Sequence, residues 1–128
     1  MSASVIGAQL YTLRDFLKTP DAIRDSLRRV RDMGYEAVQC SALGPIEPAE
    51  LRGIADDADL KIVATHIGFD LIRDEPATVI AEHEVWGCRH VAIGGMPQEY
   101  RSADGFARFA KDASAAARPL VDAGLTFS

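Results

Sequence analysis

The sequence predicts an α/β fold: about four βα units and the start of a fifth strand, half of a (β/α)8 barrel rather than an open sheet. Two observations predict it. The first is a punctuation that occurs in four places. A helix-like stretch stops at Gly or Asp and a short apolar strand begins at once. The places are Met33-Gly34-Tyr35-Glu36-Ala37-Val38, Ala58-Asp59-Leu60-Lys61-Ile62-Val63, Trp86-Gly87-Cys88-Arg89-His90-Val91 and Ala123-Gly124-Leu125-Thr126-Phe127. Each reads as a helix C-terminus feeding a parallel strand. Repeated roughly every 25 to 37 residues, they form a string of βα units. The second observation is alternation within the strands. With Gln9, Gln39 and His66 on one face, Gly7, Ala37, Ala64, Ala92 and Gly94 join them. Ala8, Leu10, Val38, Val63, Val91 and Ile93 then face the helices. One face is apolar and branched; the other is small, with polar residues only at strand C-terminal ends. An open sheet covered on both faces reads apolar throughout. A barrel has helices outside only and a polar C-terminal mouth.

The elements follow in order. Strand one runs from about Val5 to Tyr11. Thr19 caps helix one, with Pro20 at its first position and Asp21 in its first turn. Ile23, Leu27, Val30 and Met33 form its apolar stripe. Strand two is about Tyr35 to Cys40, and a loop over residues 41–47 follows. Pro48 starts helix two, which carries Leu51, Ile54 and Ala55. Strand three is Leu60 to His66. The connection Ile67 to Glu75 reads as a long functional loop. Pro76 starts helix three, with Val79, Ile80 and Val85 apolar. Strand four is about His90 to Gly94. Helix four begins at Ser102-Ala103-Asp104, buries Phe106, Phe109, Ala110 and Ala113, and is expected to kink or break at Pro119. The last few residues, from Leu125, have little length to pair and are expected to fray or to join a neighbour.

Composition narrows the function classes. The 128 residues suit one half-barrel domain over 1–128, with 48% hydrophobic and 26% charged residues. The net charge of -5 and the lack of a basic tract argue against nucleic acid. No long apolar run suggests a membrane span, and the N-terminus does not read as a signal peptide, so a cytoplasmic location is expected. Cys40 and Cys88 fall at opposite ends of their strands and are expected as free thiols.

The segment Gly7-Ala8-Gln9-Leu10-Tyr11-Thr12-Leu13-Arg14-Asp15 resembles the first strand and loop of sugar phosphate isomerase/epimerases, the xylose isomerase-like TIM barrels related to the endonuclease IV barrel. The stretch from Met33 to Gln39, the pair Thr65-His66, the stretch from Trp86 to Val91 and the run Ala123 to Phe127 match in the same order. The resemblance implies a full barrel of about 250 residues, of which this chain is the N-terminal half. It implies a divalent metal (Mn, Mg, Zn or Co) held by carboxylates and His from the second half. It also implies aldose-ketose isomerisation or epimerisation, with two glutamates moving a proton next to a carbonyl. The chain stops before those strands, so no metal and no activity are expected of it alone.

Candidate binding residues lie at the expected mouth. His66 ends strand three and matches a position that contacts substrate or the metal region in the resembling family. Gln9 and Gln39 end strands one and two and suit sugar hydroxyls, or else cap the mouth through backbone contacts. Tyr11 and Arg14 lie in the first loop. Arg14 suits a phosphate or carboxylate, or else forms a surface pair with Asp15. Gly94-Gly95 lets a ligand approach the backbone, or simply shapes a turn. Asp70 and Glu99 are weaker candidates near the same rim. His83, within helix three, and His90 are not expected to converge with His66. No strand here ends in Asp or Glu, and a zinc site needs about three converging ligands.

Two rival architectures remain. Open sheet edges invite a second copy, giving a homodimer of half-barrels that binds a small polyol or does nothing. A flavodoxin-like sheet suits the length but lacks a phosphate loop after strand one.

Overall fold

A computed structural model describes residues 4–128. The first three residues, part of the stretch read for a leader, lie outside the described residues. The elements in order are β1 (Gly7–Gln9), a 3-10 helix (Leu10–Phe16), α1 (Pro20–Asp32), β2 (Ala37–Cys40), α2 (Pro48–Asp57), β3 (Lys61–His66), α3 (Phe69–Asp74), α4 (Pro76–Trp86), β4 (His90–Ala92), a short 3-10 turn (Gln98–Tyr100), α5 (Ala103–Asp122) and β5 (Thr126–Phe127). The strands are parallel and lie in sequential order, β1-β2-β3-β4-β5. A doubly wound sheet reverses its strand order at a switch point. Sequential order with right-handed crossovers puts every helix on one face, which is the barrel arrangement.

The four stop residues behave as the local chemistry requires. Gly34, Gly87 and Gly124 have φ of 99°, 65° and 83°, and Asp59 has 53°. This left-handed conformation ends a helix and turns the chain into the next strand; Gly adopts it freely and Asp tolerates it. The helix starts are equally local. Thr19 Oγ1 accepts from the Ala22 N–H at 3.2 Å, and Ser102 Oγ from the Gly105 N–H at 3.1 Å. Pro20, Pro48 and Pro76 each open a helix, where a missing N–H costs nothing.

The core has two clusters. The first joins Leu10, Leu17, Ile23, Leu27, Val38 and Leu51 with their neighbours under α1 and α2. The second joins Phe69, Ile72, Val79, Val91 and Leu120 under α3, α4 and α5. Each fully buried aliphatic side chain contributes about 1.5–3 kcal/mol relative to exposure.

Several expectations are corrected. Strand one is shorter, because residues 10–16 coil into the 3-10 helix immediately after Gln9. The connection from Ile67 to Glu75 is no irregular loop: it holds α3, which buries Phe69 and Ile72. Helix α5 is not broken at Pro119 but runs on to Asp122. Ala115, whose carbonyl loses its helical donor to Pro119, is exposed, so water can satisfy it. Met33, Val85 and Phe106 are exposed rather than packed. Met33 is the C-cap of α1, outside its last regular turn. On α5 the buried residues are Gly105, Ala116 and Leu120, with Phe109 and Ala113 packed against the second cluster as expected, while Phe106 and Ala110 are exposed. The chain end pairs with β4 instead of fraying, through His90↔Thr126 and Val91↔Phe127.

The alternation also changes phase inside β3. Val38 pairs with Ile62 but Gln39 pairs with Ala64, so Val63 is an extra residue at a β-bulge. Ile62, not Val63, therefore packs under the helices: Ile62 is buried and Val63 is 39% exposed. Ala64 and His66 keep the face expected for them.

Candidate functional site

The strand C-terminal ends form a polar rim on the face that carries no helices. Gln9 and Gln39 are register partners on β1 and β2, and Gln39 is paired in turn with Ala64. His66 lies two residues beyond Ala64 on the same face, beside Ala92 of β4. The amides and the imidazole thus stand on three neighbouring strand ends. Gln9 is exposed, while Gln39 and His66 are half-buried. Ser41 Oγ donates to Gln39 Oε1 at 3.4 Å, a long bond that leaves the Gln39 amide N–H groups free for other acceptors. Gly94 lies beside the imidazole: a Cβ there would meet His66 Nδ1 at 3.4 Å, an ordinary contact. Gly95 has open space around it.

Tyr11 and Arg14 follow on the 3-10 helix after β1. The Arg14 guanidinium lies 4.6 Å from the Tyr11 ring centroid and donates to the Tyr11 carbonyl at 3.1 Å. Arg14 therefore stacks on Tyr11 instead of pairing with Asp15. That contact orients a planar donor at the rim. Asp70 lies in the first turn of α3, and Glu99 in the 3-10 turn after β4.

Behind His66 a cleft of about 270 Å³ opens between β3 and the helices. Its lining includes Ser41, Leu43, Thr65, His66, Glu82 and Trp86. Glu82 is a candidate that the sequence reading missed. Burial pushes its carboxyl above the ordinary range. The signal was the spacing Val79, Glu82, His83, Trp86, which is one helix face. The apolar residues Ile80 and Val85 drew attention to a different face.

His83 is fully buried and belongs to that same face. Its Nδ1 lies 2.7 Å from the Val79 carbonyl oxygen and its Nε2 lies 2.6 Å from Thr65 Oγ1. A carbonyl can only accept, so Nδ1 carries the proton, and the Thr65 hydroxyl donates to Nε2. Burial holds the ring's pKa below its usual value, with the Val79 contact opposing. The pair ties α4 to the residue just before His66. It does not bring the two imidazoles to one site, and His90 lies at the other end of β4, 2.7 Å from Thr126 Oγ1.

Cys40 and Cys88 are free and buried in one apolar cluster. Burial, with a smaller contribution from Cys88, pushes the Cys40 thiol up to about 12. Burial raises Cys88 as well. Neither is poised as a nucleophile.

The donor set on this face is two amides and one imidazole. A divalent metal centre needs about three converging ligands, with carboxylates for the harder ions. Among the described residues no three His, Cys, Asp or Glu side chains converge in that way. These residues do not fit a whole metal centre; they fit the recognition of hydroxyl and carbonyl groups by hydrogen bonds. Among the described residues no helix is long and apolar enough to cross a membrane.

No protein-family model and no curated protein matches the sequence. Solved structures do match. A sugar phosphate isomerase/epimerase from Parabacteroides distasonis aligns over 98% of this chain and 54% of its own, with TM-score 0.74 and 22% identity. A second sugar phosphate isomerase/epimerase from the same organism aligns over 99% and 51%, with TM-score 0.77 and 16% identity. An AP endonuclease, family 2, from Brucella melitensis aligns over 97% and 54%, with TM-score 0.65 and 13% identity. The chain spans about half the length of these proteins and shares their fold over that length: a parallel α/β arrangement consistent with half of a TIM barrel.

Proposed function

We propose that this chain supplies a sugar-binding wall to a barrel of the sugar phosphate isomerase/epimerase type. The observation that carries the reading is the row of Gln9, Gln39 and His66 on three neighbouring strand ends of the helix-free face. Amide and imidazole groups both donate and accept, which suits vicinal hydroxyls and a carbonyl. The stacked Arg14 offers a planar cation at the same rim for a phosphate or carboxylate. Proton transfer next to the carbonyl, and any metal that polarises it, call for carboxylates that these strand ends do not carry. Those steps are assigned to residues outside this chain.

The test is an NMR titration of the 128-residue chain with sugars and their phosphates. Signals from the Gln9 and Gln39 side-chain amides and from His66 are expected to shift together and to saturate. Absence of a saturable shift at all three would overturn the reading.

A second reading has an observation of its own. Val5 and Ile6, which precede edge strand β1, are 59% and 68% exposed. An exposed apolar edge favours pairing with a second copy, giving a dimer of half-barrels. Light scattering separates the readings, since a strictly monomeric chain excludes self-association.

A further inference from the structure

The other end of the sheet carries a different site. β3 begins at Lys61, yet its pairing with β4 begins only at Thr65↔Val91. On the β4 side, the edge of β3 from Lys61 to Ala64 has no ladder partner. β4 begins only at His90, so most of that edge lies ahead of it, and the bulge at Val63 falls in the same stretch. A cleft of about 450 Å³ lies beside it. Its walls include Arg52, Asp56, Lys61 and Arg89, with Ile62 and Trp86 among its apolar residues.

The charges in this cleft run against the chain's net charge of -5. Asp56 is the one carboxylate of the lining. Arg52 neutralises it, with Nε 2.9 Å from both carboxylate oxygens, and donates through Nη1 to the Val85 carbonyl at 3.2 Å. Arg52 is thereby fixed between α2 and the end of α4. Lys61 and Arg89 form no ion pair among the described residues. Two cations without an ion pair among the described residues thus line a cleft beside strand backbone that has no ladder partner on that side. Backbone N–H groups and cations converging on one space are the elements of an anion site.

We infer that the cleft between the N-terminal ends of β3 and β4 binds a small phosphate monoester. Lys61 and Arg89 take the phosphate and the free edge of β3 lies beside it. The apolar wall of Ile62 and Trp86 receives the organic part. The site lies at the opposite end of the strands from His66 and goes beyond the sugar-binding reading. A ligand there would bridge β3 and β4 where the sheet itself does not.

The chain's single tryptophan lines this cleft and supplies the readout. The intact chain is titrated with phenyl phosphate, and separately with inorganic phosphate, while Trp86 fluorescence is followed. Saturable binding is expected, tighter for phenyl phosphate. It should weaken by about tenfold in Lys61→Ala and in Arg89→Ala, the loss of one charge-assisted contact in each. His66→Ala should leave it unchanged, which separates this site from the rim. Both substituted side chains are exposed, and circular dichroism checks that the variants fold. Lack of saturable binding would overturn the inference. So would binding unchanged in both variants, or binding lost in His66→Ala alone.

Discussion

The two ends of β3 are built differently. The C-terminal end is paired on both sides, with β2 through Ala64 and Thr65 and with β4 through Thr65 and His66. Its helix-facing polar group is satisfied inside the protein: Thr65 is buried and bonded to His83, while the half-buried His66 opens onto the rim. The N-terminal end is paired on one side only and carries an exposed lysine beside a cleft of about 450 Å³. The bulge at Val63 separates the two. The lesson concerns what pairing does to side chains. Where the ladder is complete and a polar side chain turns under the helices, it must find its partner within the fold. Where the ladder is open, charge remains available to solvent or ligand.

The sharpest way to break this comparison is at the bulge. Ile62→Ala should cost about 2–5 kcal/mol, because Ile62 belongs to the first core cluster. Val63→Ala should cost less than about 1 kcal/mol, because its side chain is 39% exposed. Urea denaturation of the two variants reads the difference. A larger loss at Val63 would mean that strict alternation holds and that the bulge does not form.

At the paired end, Thr65→Val removes the donor to His83 and leaves Nε2 buried without one. The expected loss is about 1–3 kcal/mol in the same assay. Stability unchanged within error would mean that the pair contributes nothing to holding the strand end.

The same pair makes stability depend on pH. The His83 ring is held below its ordinary value of 6.5, so the unfolded chain takes up the proton first. Above pH 6.5 His83 is neutral in both states and its contribution is fully present. As pH falls below that value the unfolded state is favoured, by at most about 1.4 kcal/mol per pH unit from this group. Denaturation midpoints at pH 7.5 and 5.5 should show the loss. It should shrink in His83→Gln, and a fall of equal size in that variant would assign the pH dependence to other groups.

The smallest effect is expected at the open end. Lys61→Ala should change stability by no more than about 0.5 kcal/mol, since the side chain is exposed and forms no ion pair among the described residues. A loss comparable to that of Thr65→Val would show that Lys61 is part of the fold and not a free cation.

What was legible in the sequence was local. Thr19 and Ser102 cap helices through N–H groups three residues away. Gly34, Asp59, Gly87 and Gly124 stop helices through their own φ. The polar strand ends Gln9, Gln39 and His66 follow from a period of two counted back from each strand's end. Glu82 and His83 were not recognised, because an acid and a histidine within a helix usually face solvent and only a packed neighbour makes them inward. Arg14 finding Tyr11 instead of Asp15 is a choice between contacts that both lie within reach.

The sequence by itself determined the βα punctuation, the helix starts and the polar rim, since each rests on steric limits within a few residues of chain. Only the tertiary structure decided the phase change at Val63, the burial of His83, the passage of α5 through Pro119 and the cleft between β3 and β4. Register and the satisfaction of buried groups are set by partners distant in sequence: Val38 for Ile62, Thr65 for His83 and Val91 for Thr65. No local propensity specifies which of those partners arrives.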